Sequence, residues 1–125
     1  MGTLTPEALE AWENRERRTV LTTVDANGAP DTVWILCVER YGDEGFVIAN
    51  NSMSKTLANI ENGCAGSLLY IAPERESYQV KGRIENHTEG PVFDDMKRWL
   101  DPKYPGRSAI LLRSDEVWYG SKRVV

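Results

Sequence analysis

The chain has 125 residues, 15 basic against 19 acidic, and a formal net charge of −4. That length gives one domain, 1–125, with enough apolar material for a core that needs neither disulfides nor a structural metal, and the acidic balance argues against a nucleic-acid scaffold, which shows a basic face. So small a chain has little room for a deep cofactor pocket, and a site shared between two subunits suits any large ligand better.

Thr5, Pro6 and Glu7 open a helix well, with Thr5 as cap, Pro6 at the first helical position and acids at Glu7 and Glu10. It is expected to end near Arg17, with Leu9 and Trp12 on one face to cover the end of a sheet. The basic residues Arg15, Arg17 and Arg18 are interleaved with Glu13 and Glu16 and read as a solvated helix end, not a phosphate tract.

From Thr19 the pattern turns to strand. Residues 19–24 and 31–39 form the arms of a hairpin, and Asn27-Gly28 supplies the positive-φ positions of its reversal. A second turn, 41–45, feeds a strand ending at Ala49. After a short helix come strands 64–71 and 78–85, separated by the polar loop 73–76. In the second of these, Tyr78, Val80, Gly82 and Ile84 share one face while Gln79, Lys81, Arg83 and Glu85 share the other, so one side is buried. Gly82 marks either a close approach of backbone or ligand, or a bulge. Residues 90–100 read as a helix with Pro91 in its first turn and an apolar stripe of Val92, Phe93, Met96, Trp99 and Leu100. Segments 108–113 and 116–119 close the chain. Six or seven strands joined by short reversals predict a mainly β protein, an antiparallel barrel with short helices.

Cys37 and Cys64 sit in apolar surroundings and are expected to be buried free thiols. Their spacing fits no zinc pattern, and the lone His87 makes no metal cluster, so no metal site is expected. The start of the chain lacks a charged, then apolar leader, and no run approaches membrane-spanning length; a soluble, cytoplasmic protein with no membrane partner is expected.

The most informative junction is the strand 45–49 running through Asn50-Asn51 into Ser52, Met53, Ser54, Lys55 and Thr56, which open a helix closed by Gly63. A helix start carries partial positive charge and favours acids, yet this one begins with a lysine and has no early acid. Ser52 or Ser54 can cap it, but neither has Glu or Gln three residues later, so no capping box offsets Lys55. A phosphate monoester held by Ser54, Thr56 and the Lys55 ammonium would. An ordinary capped surface helix with a solvated lysine accounts for the same residues.

The ordered combination of these segments resembles the pyridoxamine 5′-phosphate oxidase-like, FMN-binding split-barrel superfamily, especially its small FMN-binding members. It comprises the Val-Leu-Thr-Thr-Val hairpin with Asn-Gly-Ala-Pro, the strand entering Ser54-Lys55-Thr56 with Asn59 one turn on, the Lys81-Gly82-Arg83 strand, the Gly90-Pro91 helix and the closing Ile110-Leu111-Leu112 and Val117-Trp118-Tyr119 strands. The likeness covers nearly the whole chain. It implies a homodimer of split β-barrels with FMN in a groove at the interface. By resemblance, Lys55 and Thr56, helped by Ser54, hold the phosphate. Thr32, Val33, Trp34, Ala49, Asn50 and Asn51 lie along the isoalloxazine and ribityl chain, and Trp118 touches the flavin bound mainly by the other protomer. Trp34 and Trp118 equally suit core or interface packing.

A flavin does its own chemistry, so no catalytic side chain is assigned, and no nucleophile elbow or dinucleotide fingerprint is present. The resemblance implies an FMN-dependent oxidoreductase exchanging electrons with a small donor or acceptor. Its alternatives are a flavin-binding or electron-transfer module without its own substrate, or a relative using F420 or haem. Two departures stand out. The Arg-Leu-His-Asp-Arg-like segment of true pyridoxamine phosphate oxidases is missing before Val125, which counts against that activity. Asp31 also follows the hairpin proline where many relatives carry histidine.

Overall fold

The computed structural model describes residues 3–125; Met1 and Gly2, the first residues of the segment expected to lack a leader, lie outside them. Among the described residues the chain runs α1 (Pro6–Glu13), β1 (Thr19–Val24), β2 (Pro30–Ile35), β3 (Val38–Tyr41), β4 (Gly45–Asn50), α2 (Lys55–Glu61), β5 (Ala65–Ile71), β6 (Ser77–His87), α3 (Pro91–Trp99), β7 (Ser108–Arg113), β8 (Glu116–Tyr119) and β9 (Lys122–Arg123). Neighbouring strands pair antiparallel in the order β2-β1-β5-β6-β7-β4-β3, and β8 and β9 form a ribbon attached to β6. This is the mainly β split barrel that the residues predict.

The strand expected over 31–39 is two strands. β2 pairs with β1 while β3 pairs with β4, so the chain leaves one end of the sheet path at Ile35 and joins the other end at Val38. Leu36 and Cys37 form the seam. Two hydrogen bonds fasten it: Thr19 Oγ1 donates to the Ile35 carbonyl (3.0 Å), and the Ala49 N–H donates to the Cys37 carbonyl (2.9 Å).

β6 is long because it serves two halves of the sheet. Residues 78–81 pair with β8 and residues 84–87 with β7, and the partner changes at Gly82 and Arg83. A Cβ at Gly82 would collide with the Arg113 carbonyl, so its glycine marks a close backbone approach and not a ligand. The Arg83 N–H, at the gap between partners, donates instead to Asp115 Oδ2 (2.9 Å), which satisfies a backbone donor the ladder leaves out.

Two cores follow from this layout. Inside the barrel, Trp12 meets Phe46 and Tyr70 at ring-centroid distances of 4.6 and 5.1 Å, and Tyr70 stacks on Tyr78 at 5.6 Å. Tyr70 donates its hydroxyl to the Ala8 carbonyl (2.8 Å), fixing α1 over the barrel end; burial pushes that phenol well above its ordinary pKa. On the outside, Val92, Met96 and Leu100 of the α3 segment pack on Val47, Ala49, Ala109 and Leu111. β4 and most of β7 are therefore covered on both faces, which explains their unbroken apolar runs.

α1 stops at Glu13, short of Arg17. Beyond it the Glu16 N–H is taken by the Ile71 carbonyl (2.8 Å), and Arg15 folds back over the Trp12 ring, donating to the Trp12 carbonyl (2.9 Å). The basic cluster is thus a connection, not a helix end. Cys37 and Cys64 are unpaired but only half-buried, because one lies in the seam and the other at the exit of α2. No helix among the described residues is long and apolar enough to cross a membrane.

Candidate functional site

A groove of about 680 Å³ lies along the seam. Val33, Trp34 and Ile35 of β2 form one wall, Ala49 and residues 51–56 the other, and Tyr104 and Pro105, between α3 and β7, close one end. Trp34 is 69% exposed although it is the largest side chain available to a core, with the Arg18 guanidinium 5.9 Å from its ring centroid.

The second wall is set by two asparagines. Asn50 is buried; its Nδ2 donates to Ser108 Oγ (2.9 Å) and its Oδ1 accepts from the Met53 N–H (2.9 Å), which turns the chain from β4 into the loop before α2. Asn51 lines the groove and accepts the Gly106 N–H at Oδ1 (3.0 Å), drawing the Tyr104-Pro105 loop against it.

At the far end stand Ser54, Lys55 and Thr56. Ser54 occupies the cap position of α2 but makes no side-chain cap hydrogen bond, and the first turn holds no acid. The missing acid comes from β2. Lys55 Nζ donates to Asp31 Oδ1 at 2.5 Å and Thr56 Oγ1 donates to Asp31 Oδ2 at 2.9 Å. The Lys55 side chain is 70% exposed and that of Asp31 only 12%, so the carboxylate stands behind the wall and the ammonium in front of it. The Lys55 hydrogen bond, with smaller help from Thr56 and Thr23, holds the Asp31 carboxyl below the usual carboxylate range against the opposing effect of burial. Asn59 Nδ2 completes the network by donating to Thr23 Oγ1 (3.0 Å), the cross-strand neighbour of Asp31.

Seven of the candidate residues therefore meet in one groove: Val33, Trp34, Ala49, Asn51, Ser54, Lys55 and Thr56. Three do not line it. Thr32 shares a face of β2 with Trp34 but lies beyond the groove, where its Oγ1 meets Thr22 Oγ1 at 3.1 Å; Asn50 lies behind the wall. Trp118 sits on β8, its Nε1 donating to Glu116 Oε1 (2.9 Å) and its ring 5.4 Å from Lys81 Nζ, away from the groove of its own chain. The residues alone missed Ile35, Leu36, Cys37, Ser52, Met53, Tyr104 and Pro105 as lining, and Asp31 as the partner of Lys55. The Tyr-Pro-Gly turn at 104–106 was the available signal for the loop. Among the described residues no three of His, Cys, Asp and Glu gather to ligate a metal ion. His87 lies elsewhere, its Nε2 2.9 Å from Glu85 Oε1.

Known proteins share this architecture. HupZ of Group A Streptococcus superposes with a TM-score of 0.83 at 23% identity, over 98% of each chain. An FMN-binding protein of Syntrophomonas wolfei gives 0.75 at 23% identity, over 89% of this chain and 81% of that one. A pyridoxamine 5′-phosphate oxidase-related, FMN-binding protein of Nostoc punctiforme gives 0.63 at 16% identity, over 86% and 77%. In sequence, an uncharacterised protein of Methanocaldococcus jannaschii is 26% identical over 120 residues, 92% of this chain and 79% of that one. The family model described as pyridoxamine 5′-phosphate oxidase matches residues 5–122, and with that match spanning the barrel from α1 to β9, this chain belongs to the pyridoxamine 5′-phosphate oxidase-like family of FMN-binding split-barrel proteins.

Proposed function

We propose that this protein binds FMN in the seam groove and acts as an oxidoreductase on a small molecule, as a cytoplasmic homodimer. The observation that carries the proposal is the polarity of the groove: an exposed indole and an apolar wall at one end, and one ammonium flanked by two hydroxyl side chains at the other. A volume of about 680 Å³ lies within the range of cofactor sites, and Lys55 is the one charged residue among the described lining residues. That donor set fits a flavin carrying a terminal phosphate. Lys55, Ser54 and Thr56 bind the phosphate, Asn51 holds the ribityl end of the wall, and Val33, Trp34 and Ala49 present apolar surface to the ring system. A bound flavin supplies the electron transfer itself.

A second copy suits this geometry because Val24, Trp34 and Leu36 are the exposed large apolar side chains among the described residues, and all three lie on or beside the β1–β2 hairpin, Trp34 and Leu36 lining the groove. Covering them excludes water from the flavin, and Trp118 of the partner protomer is the proposed contact from the other side. The two unpaired cysteines suit a reducing compartment. A non-catalytic electron-transfer module is favoured by one observation: the described lining residues include no His, Asp or Glu to move a proton. Many turnovers with a nicotinamide donor support the enzyme, and reduction only by a redox protein supports the module.

Lys55→Ala is expected to weaken FMN binding by about 1.5–3 kcal/mol, the range for a charge-assisted hydrogen bond, measured by quenching of flavin fluorescence. Unchanged affinity removes Lys55 from the phosphate seat. A monomer by sedimentation that binds FMN at full strength refutes the shared groove.

A further inference from the structure

Two of the three side chains that the flavin reading assigns to phosphate, Lys55 and Thr56, are already engaged within the chain. Thr56 has a single hydroxyl proton, and it points at Asp31 Oδ2 (2.9 Å); a threonine that donates to one acceptor presents only lone pairs to another. Lys55 keeps two further N–H donors, but its charge is opposed by the Asp31 carboxylate at 2.5 Å. Asp31 is no part of a turn and no ladder requires its side chain. It sits on β2 opposite Thr23 and reaches α2 across 24 and 25 residues of sequence.

We propose that Asp31 sets the ligand preference of the groove: its carboxylate competes with a ligand's phosphate for Lys55 and Thr56, and so narrows the site's preference for phosphorylated over dephosphorylated flavin. This rests on the flavin reading for the identity of the ligand, but not for the competition. When a phosphate binds, the Thr56 proton turns from Asp31 to the incoming oxygen and the Lys55 ammonium is shared between two anions. Asp31 faces Lys55 and Thr56 of α2 and Thr23 of β1, with Asn59 behind Thr23. The variant Asp31→Asn keeps the shape and an acceptor for Thr56 while removing the negative charge.

Two titrations separate the competition from the flavin reading. Wild type and Asp31→Asn are titrated with inorganic phosphate, followed by the amide resonances of Lys55 and Thr56, and separately with FMN and riboflavin by fluorescence. Phosphate affinity is expected to rise at least tenfold in Asp31→Asn, and the FMN-to-riboflavin affinity ratio to rise with it. Addition of Lys55→Met to that variant abolishes the gain. An Asp31→Asn protein that binds phosphate no better, or worse, overturns the proposal and makes Asp31 a residue that positions Lys55 for the ligand. A gain that survives Lys55→Met overturns it as well. Should Asp31→Asn not fold, Asp31→Ser carries the same expectations. If neither flavin binds either protein, the cofactor assignment fails, and the phosphate titration still decides the role of Asp31.

Discussion

Two clefts of similar size open on this barrel, and only one has the chemistry of an anion site. The first, about 740 Å³, lies between α1 and the 73–76 loop and carries Glu7, Glu10, Glu74 and Glu76 around Tyr78 and Tyr119, with Lys122 as its one basic residue among the described lining. The second, about 680 Å³, is the seam groove with Lys55 as its one charge. Volume favours the first, but four carboxylates repel a phosphate ester, whereas an exposed ammonium beside hydroxyls attracts one. The clefts also differ in how they are held: the acidic one has α1 for a wall, packed on aromatic rings, and the groove is positioned by asparagine and aspartate hydrogen bonds.

The contrast breaks most severely at Trp12, on the buried face of α1, which contacts both Phe46 and Tyr70. Trp12→Ala is expected to cost about 3–5 kcal/mol of stability, read by urea denaturation, yet to leave FMN affinity within about threefold where the protein remains folded, by the usual near-independence of distant sites. Loss of flavin binding in that folded state shows that the clefts are coupled.

A smaller effect sharpens the groove's side of the comparison. The folded Asp31 carboxyl releases its proton more readily than in the unfolded chain, so its pairing stabilises the fold above an ordinary aspartate pKa of about 4 and is lost as pH falls through the lowered folded value. The difference in Tm between wild type and Asp31→Asn is expected to hold steady from neutrality to about pH 5 and to shrink below about pH 4. A difference that grows on acidification reverses the assignment.

The smallest effect belongs to the acidic cleft. Glu74 adopts φ 64°, a left-handed conformation that disfavours side chains. Glu74→Gly removes both that strain and one carboxylate, and the relief, partly offset by the freer unfolded chain, leaves a gain of no more than about 1 kcal/mol. FMN affinity should stay within about twofold by equilibrium titration. A large rise would mean that the acidic cleft reaches the flavin electrostatically.

Much of this was legible from the residues. The Asn27-Gly28 reversal, the alternation from Tyr78 to Ile84 and the stripe of Val92, Met96 and Leu100 each carry their geometry locally, and the structure follows them, except that Gly28 has the positive φ (85°) expected of both turn residues and Asn27 does not. The seam was not, because residues 33–38 are an unbroken apolar run; what divides them is a change of partner from β1 to β4, a tertiary event with no local mark. The same limit hid Asp31. An unbalanced lysine at the start of α2 pointed to a missing anion, and the nearest one lay 24 residues away on another strand. Tyr104 reaches the groove on a loop held by Asn51, by Lys97 and by the Asn50 carbonyl, contacts that no local pattern announces.

The seam has a consequence for how the protein can deform. β2 and β3 terminate opposite ends of the sheet path and share no ladder, so the two walls are joined across the groove by two linking residues, the Ala49–Cys37 backbone hydrogen bond and the side-chain hold of Asp31 on Lys55 and Thr56 instead of a row of backbone pairs. Parting them sacrifices no strand pairing. The groove is built as a clasp: its two walls are not tied to each other in hydrogen-bonded register, and each keeps the ladder of its own neighbour.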